Sequence, residues 1–108
     1  MSELSVTPEP PYYAVIFVSR TSGDVVGYAE TAAHMLELAA RQPGFLGVDI
    51  ARSDGVGITV SYWESAEAIG AWKADADHTS TRATGRARWY DGYELRVARV
   101  DRAYGWRR

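Results

Sequence analysis

The chain has 108 residues, a formal net charge of −2 at pH 7, 46% hydrophobic residues and no cysteine. These values indicate one globular domain, and they exclude disulfides, thiolate metal sites and a cysteine nucleophile. No apolar run reaches the roughly 20 residues that span a bilayer, and residues 1–11 lack the basic start and apolar segment of a secretory signal. We therefore expect a cytoplasmic protein that does not bind membranes.

Charge is distributed unevenly along the chain. Residues 80–108 carry eight arginines against three acidic residues, whereas the rest of the chain is acidic. This pattern fits a basic end that pairs with the acidic body, and it also fits a nucleic-acid patch. The pI of about 5.6 is far below that of typical nucleic-acid-binding domains, so it favours internal or intersubunit pairing and no nucleic-acid partner.

The predicted elements begin after residues 1–11, a polar, proline-containing stretch that we expect to form a flexible leader. Residues 12–18 follow as a strand, because they are β-branched and aromatic and are apolar on both faces. Apolar residues at helical spacing then predict a first helix over 24–41, which ends at the Pro43-Gly44 pair.

A hairpin is predicted next, with strands over 45–52 and 56–63 joined by the turn Ser53-Asp54-Gly55. Three apolar residues of its first strand are expected on one face: Leu46, Val48 and Ile50. Both strands alternate in a way that indicates burial on at least one face.

A second helix and a last strand complete the domain. Ser65 is a suitable N-cap for the helix, and Ile69 and Trp72 lie in its apolar stripe. Helical structure is expected to extend less regularly toward Trp89. Alternation of apolar and polar residues then predicts a strand over 90–101.

The element order β-α-β-β-α-β predicts an α+β, ferredoxin-like domain over 12–105, with a short tail at 106–108. In this arrangement both helices cover one face of a single antiparallel sheet. Because the first strand is apolar on both faces, a monomer would expose an apolar sheet face to water. We therefore expect a homodimer in which two sheets pack face to face, a dimeric α+β barrel.

Four segments resemble the antibiotic biosynthesis monooxygenase (ABM) family, and together they extend the resemblance over residues 12–105. They are 41–45 (RQPGF), 58–78 (ITVSYWESAEAIGAWKADADH), 85–90 (GRARWY) and 96–105 (RVARVDRAYG). The resemblance implies the dimeric α+β barrel fold.

The resemblance also implies a function: oxidation of an aromatic, phenolic, polyketide-like molecule by O₂ in a cavity between sheet and helices, with neither flavin nor metal as cofactor. Because a fold does not by itself assign an activity, a non-catalytic dimeric protein that binds a small molecule or acts as an accessory is the alternative. The residues independently indicate no metal site, since His34 and His78 are far apart and lack paired carboxylates at ligand spacing.

Trp72 and His78 are the expected catalytic residues. Trp72 matches the helical tryptophan that lines the pocket of haem-degrading members, and it also fits core packing. Ser19 stands where those members use an asparagine, and their essential histidine lies further along the helix than His78, so haem degradation is the less favoured third interpretation. His78 is the candidate base, although an unbroken helix would point it to solvent near Asp75.

Further residues are expected to bind the substrate. Tyr13, Tyr62 and Tyr90 are candidate hydrogen-bond donors, although each also fits as an ordinary ring of a strand. The remaining candidates are Ser19 and the rings of Trp63 and Trp89, and core packing is the preferred interpretation of Trp63. Three arginines could hold an anionic substrate group, although salt bridges explain them better: Arg82, Arg86 and Arg88.

Overall fold

The computed structural model describes residues 4–75 and 88–108. These residues form the predicted order of strands and helices, which confirms the α+β, ferredoxin-like fold. The elements are β1 (Tyr12–Thr21), α1 (Tyr28–Ala40), β2 (Phe45–Ser53), β3 (Val56–Trp63), α2 (Ala66–Lys73) and β4 (Tyr90–Val100). The strands form one sheet in the order β2-β3-β1-β4, and every neighbouring pair is antiparallel.

The two faces of the sheet differ in what covers them. Tyr13 and Val15 of β1 pack against the buried cluster that α1 and α2 contribute to, so the odd-numbered residues of β1 lie on the face that we call the helix-side face. The even-numbered residues from Tyr12 to Val18 lie on the opposite face. The prediction that β1 is apolar on both faces is therefore confirmed.

The core lies at one end of the helix-side face. Trp63, the last residue of β3, is fully buried and forms a cluster with Ala39 of α1 and Ile69 of α2. The rings of Phe45 and Trp72 pack against it. Large aromatic rings fill most of this small core, as the aromatic composition of the chain predicts.

The first helix begins later than the sequence predicts. Residue 24 was the expected start, but Gly27 adopts a left-handed conformation with φ of 80° and α1 begins at Tyr28. A glycine takes this conformation at little cost, so it separates the preceding turn from the helix. Val25, which was expected in the apolar stripe of the helix, is consequently exposed.

Strand β2 contains a bulge that changes which residues face the core. Phe45 pairs with Trp63 and Gly47 pairs with Tyr62, so Leu46 is an extra residue between these two pairs. The expected set of Leu46, Val48 and Ile50 on one face is therefore wrong at its first member. Phe45 replaces Leu46 in the core.

The second helix begins where the sequence predicts. The Ser65 hydroxyl accepts a hydrogen bond from the backbone N–H of Ala68 at 3.1 Å, which caps the helix. The expected helical continuation through residues 76–87 lies outside the described residues. Neither helix in the described parts of the chain is long and apolar enough to cross a membrane.

The two chain ends contact each other and the sheet. Ser5 donates hydrogen bonds to Asp49 Oδ1 at 2.9 Å and to the carbonyl of Val48 at 2.8 Å, which attaches the leader to β2. Arg107 donates to the carbonyl of Ser5 at 3.4 Å. Near β4, Arg88 forms an ion pair of 3.4 Å with Asp24, so one arginine of the basic end does pair with the acidic body.

Candidate functional site

The helix-side face is organised as four rows of residues that run across the sheet. The strand register places one residue of each strand in every row, in the order β2, β3, β1 and β4. The two end rows are Phe45-Trp63-Tyr13-Arg99 and Arg52-Gly57-Ser19-Tyr93, and the two central rows are Val48-Ser61-Val15-Val97 and Ile50-Thr59-Phe17-Leu95. The end rows lie about 20 Å apart, since Tyr13 and Ser19 are six residue steps apart along β1.

The central rows form an open apolar floor. Ile50 is 48% exposed, Leu95 is 45% exposed and Val97 is 52% exposed, although all three lie on the face that carries the helices. A monomer of this size seldom leaves several large apolar side chains uncovered on one face unless that face binds something. The floor is therefore the part of the described structure best suited to hold a flat apolar molecule.

One end of the floor is closed by tryptophans. The Trp63 ring lies edge-on to Phe45 at 5.4 Å and stacks on Trp72 at 6.4 Å with an interplanar angle of 22°. The Trp63 indole N–H donates to the hydroxyl of Ser61 at 2.9 Å. Trp63 is thus a core residue with a satisfied donor, whereas Trp72 is only partly buried beside it. Tyr13 packs against the same cluster.

The other end of the floor carries a polar group that we call the Arg52 cluster, consisting of Ser19, Tyr28, Arg52 and Tyr90. Arg52 Nη2 donates to the hydroxyl of Ser19 at 3.2 Å and to that of Tyr28 at 2.8 Å. The guanidinium carbon also lies 5.2 Å from the centre of the Tyr28 ring, a cation–π contact. Ser19 is buried, whereas Arg52 is exposed and accessible to a ligand.

Tyr90 joins this cluster from β4. Its hydroxyl donates to the Tyr28 hydroxyl at 3.3 Å, and its ring lies edge-on to Phe17 of the floor at 5.6 Å. Burial, together with the hydrogen bond to Tyr28, raises the pKa of Tyr90 far above its ordinary value. Tyr90 therefore remains a protonated donor at every physiological pH.

Trp89 supports the Arg52 cluster without lining the floor. Its indole N–H donates to the carbonyl of Val26 at 3.0 Å, and its buried ring lies edge-on to Tyr28 at 5.5 Å. These contacts fix the turn before α1 and the position of the Tyr28 ring. Sequence reasoning selected Trp89 as a substrate-binding residue, whereas the described contacts give it a supporting position.

Tyr62 lies apart from the other predicted site residues, on the opposite face of the sheet. Its hydroxyl donates to Asp49 Oδ2 at 2.8 Å. Burial and this hydrogen bond raise the pKa of Tyr62 to about 12. Partial burial acts to raise the pKa of Asp49, but the hydrogen bonds from Tyr62 and Ser5 outweigh it and hold that pKa below its usual value. Tyr62 thus anchors the leader and does not reach the floor.

His78, the expected base, lies outside the described residues, as do Arg82 and Arg86. Within residues 4–75 and 88–108 no group of three or more histidines and carboxylates is placed to hold a metal ion. The described titratable groups with shifted pKa values are Asp49, Tyr62 and Tyr90, and each is shifted away from neutral pH. Of these three groups Tyr90 is the one that adjoins the floor, where it serves as a hydrogen-bond donor.

Sequence reasoning missed Tyr28 and Arg52. An arginine at the end of a strand, next to a hairpin turn, usually indicates a solvated charge. The available signal was Gly57, which the hairpin register places opposite Arg52. A glycine inside a strand often marks a place where another group approaches the backbone closely.

Comparison with known proteins identifies relatives of this chain. The family model described as antibiotic biosynthesis monooxygenase matches residues 11–84. The uncharacterized protein YqjZ of Bacillus subtilis (strain 168) is 56% identical over 103 residues, which cover 94% of this chain and 90% of that protein.

Solved structures share the fold at low identity. The cofactor-independent oxygenase SnoaB of Streptomyces nogalater superposes with a TM-score of 0.74 at 16% identity, covering 87% of this chain and 97% of that one. Rv0793 of Mycobacterium tuberculosis gives a TM-score of 0.74 at 18% identity, covering 86% and 99% of the two chains. These structures show the shared fold, and the family model, which matches more than half of the chain, shows that the chain belongs to the antibiotic biosynthesis monooxygenase family.

Proposed function

We propose that this protein is a cofactor-independent monooxygenase that oxidises a flat, phenolic aromatic molecule with O₂ on the apolar floor. The observation that carries the proposal is the floor itself: exposed Ile50, Leu95 and Val97, between tryptophans at one end and a hydroxyl-rich cluster at the other. Membership of the ABM family and the shared fold of the oxygenase SnoaB support it.

The chemistry requires few protein groups, because an electron-rich carbanion can reduce O₂ directly. Removal of a proton from the CH₂ carbon of an anthrone-type substrate gives the carbanion. Transfer of one electron to O₂ and radical combination then form a C–O bond, as a hydroperoxide. Loss of the second C–H proton with cleavage of the O–O bond leaves a ketone and water. The CH₂ group supplies all the electrons, so no external reductant is consumed.

Trp72 and His78 are the residues that we assign to this reaction. Trp72 lies on α2 at the tryptophan end of the floor and provides a wall and an indole donor for the developing reduced oxygen. His78 follows in the chain and serves as the base that takes the first proton. Contact with the apolar floor would remove water from one face of the bound anion, which favours electron transfer to O₂ over reprotonation.

Oxygen consumption tests this function. The purified protein, treated with a chelator, is expected to accelerate O₂ uptake with an anthrone or a hydroquinone over the uncatalysed rate. His78→Ala should lower kcat by about 100-fold or more, the usual contribution of a general base, while Trp72→Phe should lower kcat with a smaller change in KM. O₂ uptake at the uncatalysed rate with every anthrone and hydroquinone tested would contradict the proposal.

A non-catalytic small-molecule-binding protein is the second candidate, and one observation favours it. Among the described residues of the floor and the Arg52 cluster, the resolved pKa shift is that of Tyr90, and it moves away from neutral pH, which is unlike most acid–base sites. The same two variants discriminate between the candidates. Ligand binding that persists with any turnover unchanged in Trp72→Phe and His78→Ala identifies a binding protein. A shift of the Soret band on haem titration would instead favour the haem-degrading alternative.

We also propose a homodimer that forms through the opposite face of the sheet. That face carries a continuous set of apolar residues, namely Ile16, Val18, Val56, Ile58 and Val60. Ile58 is 45% exposed, and no helix among the described residues covers this face. Packing two such faces together would remove the apolar surface of both copies from water.

Sedimentation of two matched variants tests the dimer. Ile58→Glu places a charge on the opposite face and is expected to shift the protein from dimer to monomer at micromolar concentration. Ile50→Glu, on the neighbouring strand, changes an isoleucine of similar exposure on the helix-side face and should leave the dimer intact. A wild-type protein that sediments as a folded monomer at this concentration would contradict the dimer.

A further inference from the structure

Gly57 makes room for the guanidinium of Arg52. The two residues form a pair in the hairpin register, and a Cβ atom added at Gly57 would collide with the guanidinium nitrogens and carbon. The guanidinium thus lies directly on the backbone of β3, held by Ser19 and Tyr28. The Arg52 side chain therefore extends from β2 across β3 toward Ser19 of β1, at the end of the floor.

Arg52 has no counter-ion in the described structure. Its hydrogen-bond partners are the hydroxyls of Ser19 and Tyr28 and the carbonyl of Gly55, the last at 3.5 Å, and all three are neutral. No carboxylate of residues 4–75 and 88–108 forms an ion pair with it. A guanidinium fixed by neutral groups retains its full charge and has N–H donors to spare, so it attracts an anion.

The hydrogen-bond directions within the Arg52 cluster also indicate that it binds an anion. An arginine can only donate, so the Tyr28 oxygen accepts from Arg52, and it also accepts from the Tyr90 hydroxyl. Because the Tyr28 oxygen accepts both of these hydrogen bonds, the hydroxyl proton of Tyr28 remains available for donation to a ligand. Arg52 and Tyr28 therefore offer a charged donor and a neutral donor side by side, an arrangement that suits an oxygen anion.

The apolar residues beside these two donors indicate which kind of anion would bind. Ile50 precedes Arg52 by two residues on the same face, and the Phe17 ring of the floor contacts Tyr90. We propose that the Arg52 cluster binds the anionic oxygen of an aromatic ligand, a phenolate or a carboxylate, whose rings lie on the apolar floor. The inference rests on the proposed function for the identity of this ligand as the substrate.

Calorimetric titration with matched probes tests the inference directly. Naphthoate is compared with its neutral isostere naphthamide, and a nitronaphtholate with its methyl ether, at about pH 8, where both anions are ionised. At least one anion should bind the wild-type protein about tenfold or more tighter than its neutral partner, the usual effect of a charge-assisted hydrogen bond. The pair that shows the preference identifies carboxylate or phenolate.

Three variants test whether the preference for the anion depends on Arg52. Arg52→Gln should weaken binding of the preferred anion by about tenfold or more and leave its neutral partner within about twofold. Gly57→Ala should act in the same direction although it keeps the charge, because the added methyl displaces the flexible guanidinium. Arg41→Gln, which removes the same charge from an exposed site at the end of α1, should change nothing. Unchanged circular dichroism and unfolding midpoints establish that each variant is folded.

Several results would overturn the inference: equal affinities for anion and neutral partner, no binding of either pair, or equal effects of Arg52→Gln and Arg41→Gln. The outcome is separable from that of the proposed function. Anion binding that depends on Arg52 without any O₂ uptake supports this site and removes only the oxygenase proposal. O₂ uptake whose kcat and KM are unchanged in Arg52→Gln removes only this site.

Discussion

Replacing Trp63 with alanine is expected to lower the free energy of unfolding by about 3–5 kcal/mol, the usual cost of removing a buried aromatic ring. Trp63 is 0% exposed and packs against Ala39 of α1, Ile69 of α2 and Phe45 of β2, so it holds both helices on the sheet. Its removal leaves a cavity that three elements border, and it deprives the Ser61 hydroxyl of a donor. The whole free energy of unfolding of a small domain is only about 5–15 kcal/mol, so this loss is a large share of it.

Urea unfolding followed by circular dichroism measures this loss. Trp106→Ala is the matched control, because Trp106 is 75% exposed in the tail and its removal should change the free energy of unfolding by less than about 0.5 kcal/mol. Both variants and the wild type are compared at one protein concentration, since association would contribute to apparent stability. If both substitutions change the free energy of unfolding by the same small amount, Trp63 is not a core residue.

Gly44→Ala is expected to lower the free energy of unfolding by about 2–5 kcal/mol, for two reasons that add. Gly44 has a φ of 87°, which costs a residue with a Cβ atom about 1–2 kcal/mol. The added Cβ would also lie 2.7 Å from Ala68 Cβ on α2, so the helix must move, and overpacking of this kind costs about 1–3 kcal/mol. Gly44 further accepts the N–H of Glu64 at 2.7 Å, which ties this turn to the end of β3.

Gly70→Ala is the control for this substitution. Gly70 lies within α2, and an added Cβ would meet no atom within 4 Å. Alanine there should stabilise the protein by about 0.5–1 kcal/mol, because glycine disfavours a helix interior. Opposite signs for the two glycine substitutions in thermal unfolding support the contact between the turn and α2. A Gly44→Ala protein as stable as the wild type would contradict it.

The fold was predictable because local chemistry and tertiary structure agree over most of the chain. The bounds of β3 and the Ser65 cap of α2 follow from alternation and from capping preference, and both are observed. The start of α1 was not predictable from apolar spacing, since Val25 fits the helical stripe but Gly27 ends the preceding turn. The bulge at Leu46 was missed because a pattern with period two does not reveal an extra residue.

The site was predictable only in part. Residue types and family resemblance selected Ser19 and Tyr90, which meet in the Arg52 cluster, and Trp72, which borders the opposite end of the floor. They also selected Tyr62, which the register places on the other face. Arg52 was missed because its role depends on a glycine across the hairpin and on a tyrosine of α1, contacts between residues far apart in sequence.

The destination of the atoms of O₂ tests whether the protein is an oxygenase. The chelator-treated protein is supplied with an anthrone and O₂ labelled with the heavy isotope of oxygen, and the product is analysed by mass spectrometry. We expect one labelled atom in the new ketone and one in water. The product should form faster with the protein than without it, and much more slowly with His78→Ala than with the wild type. A product whose new oxygen comes from the solvent, or one that forms no faster with the protein than without it, would contradict the oxygenase proposal.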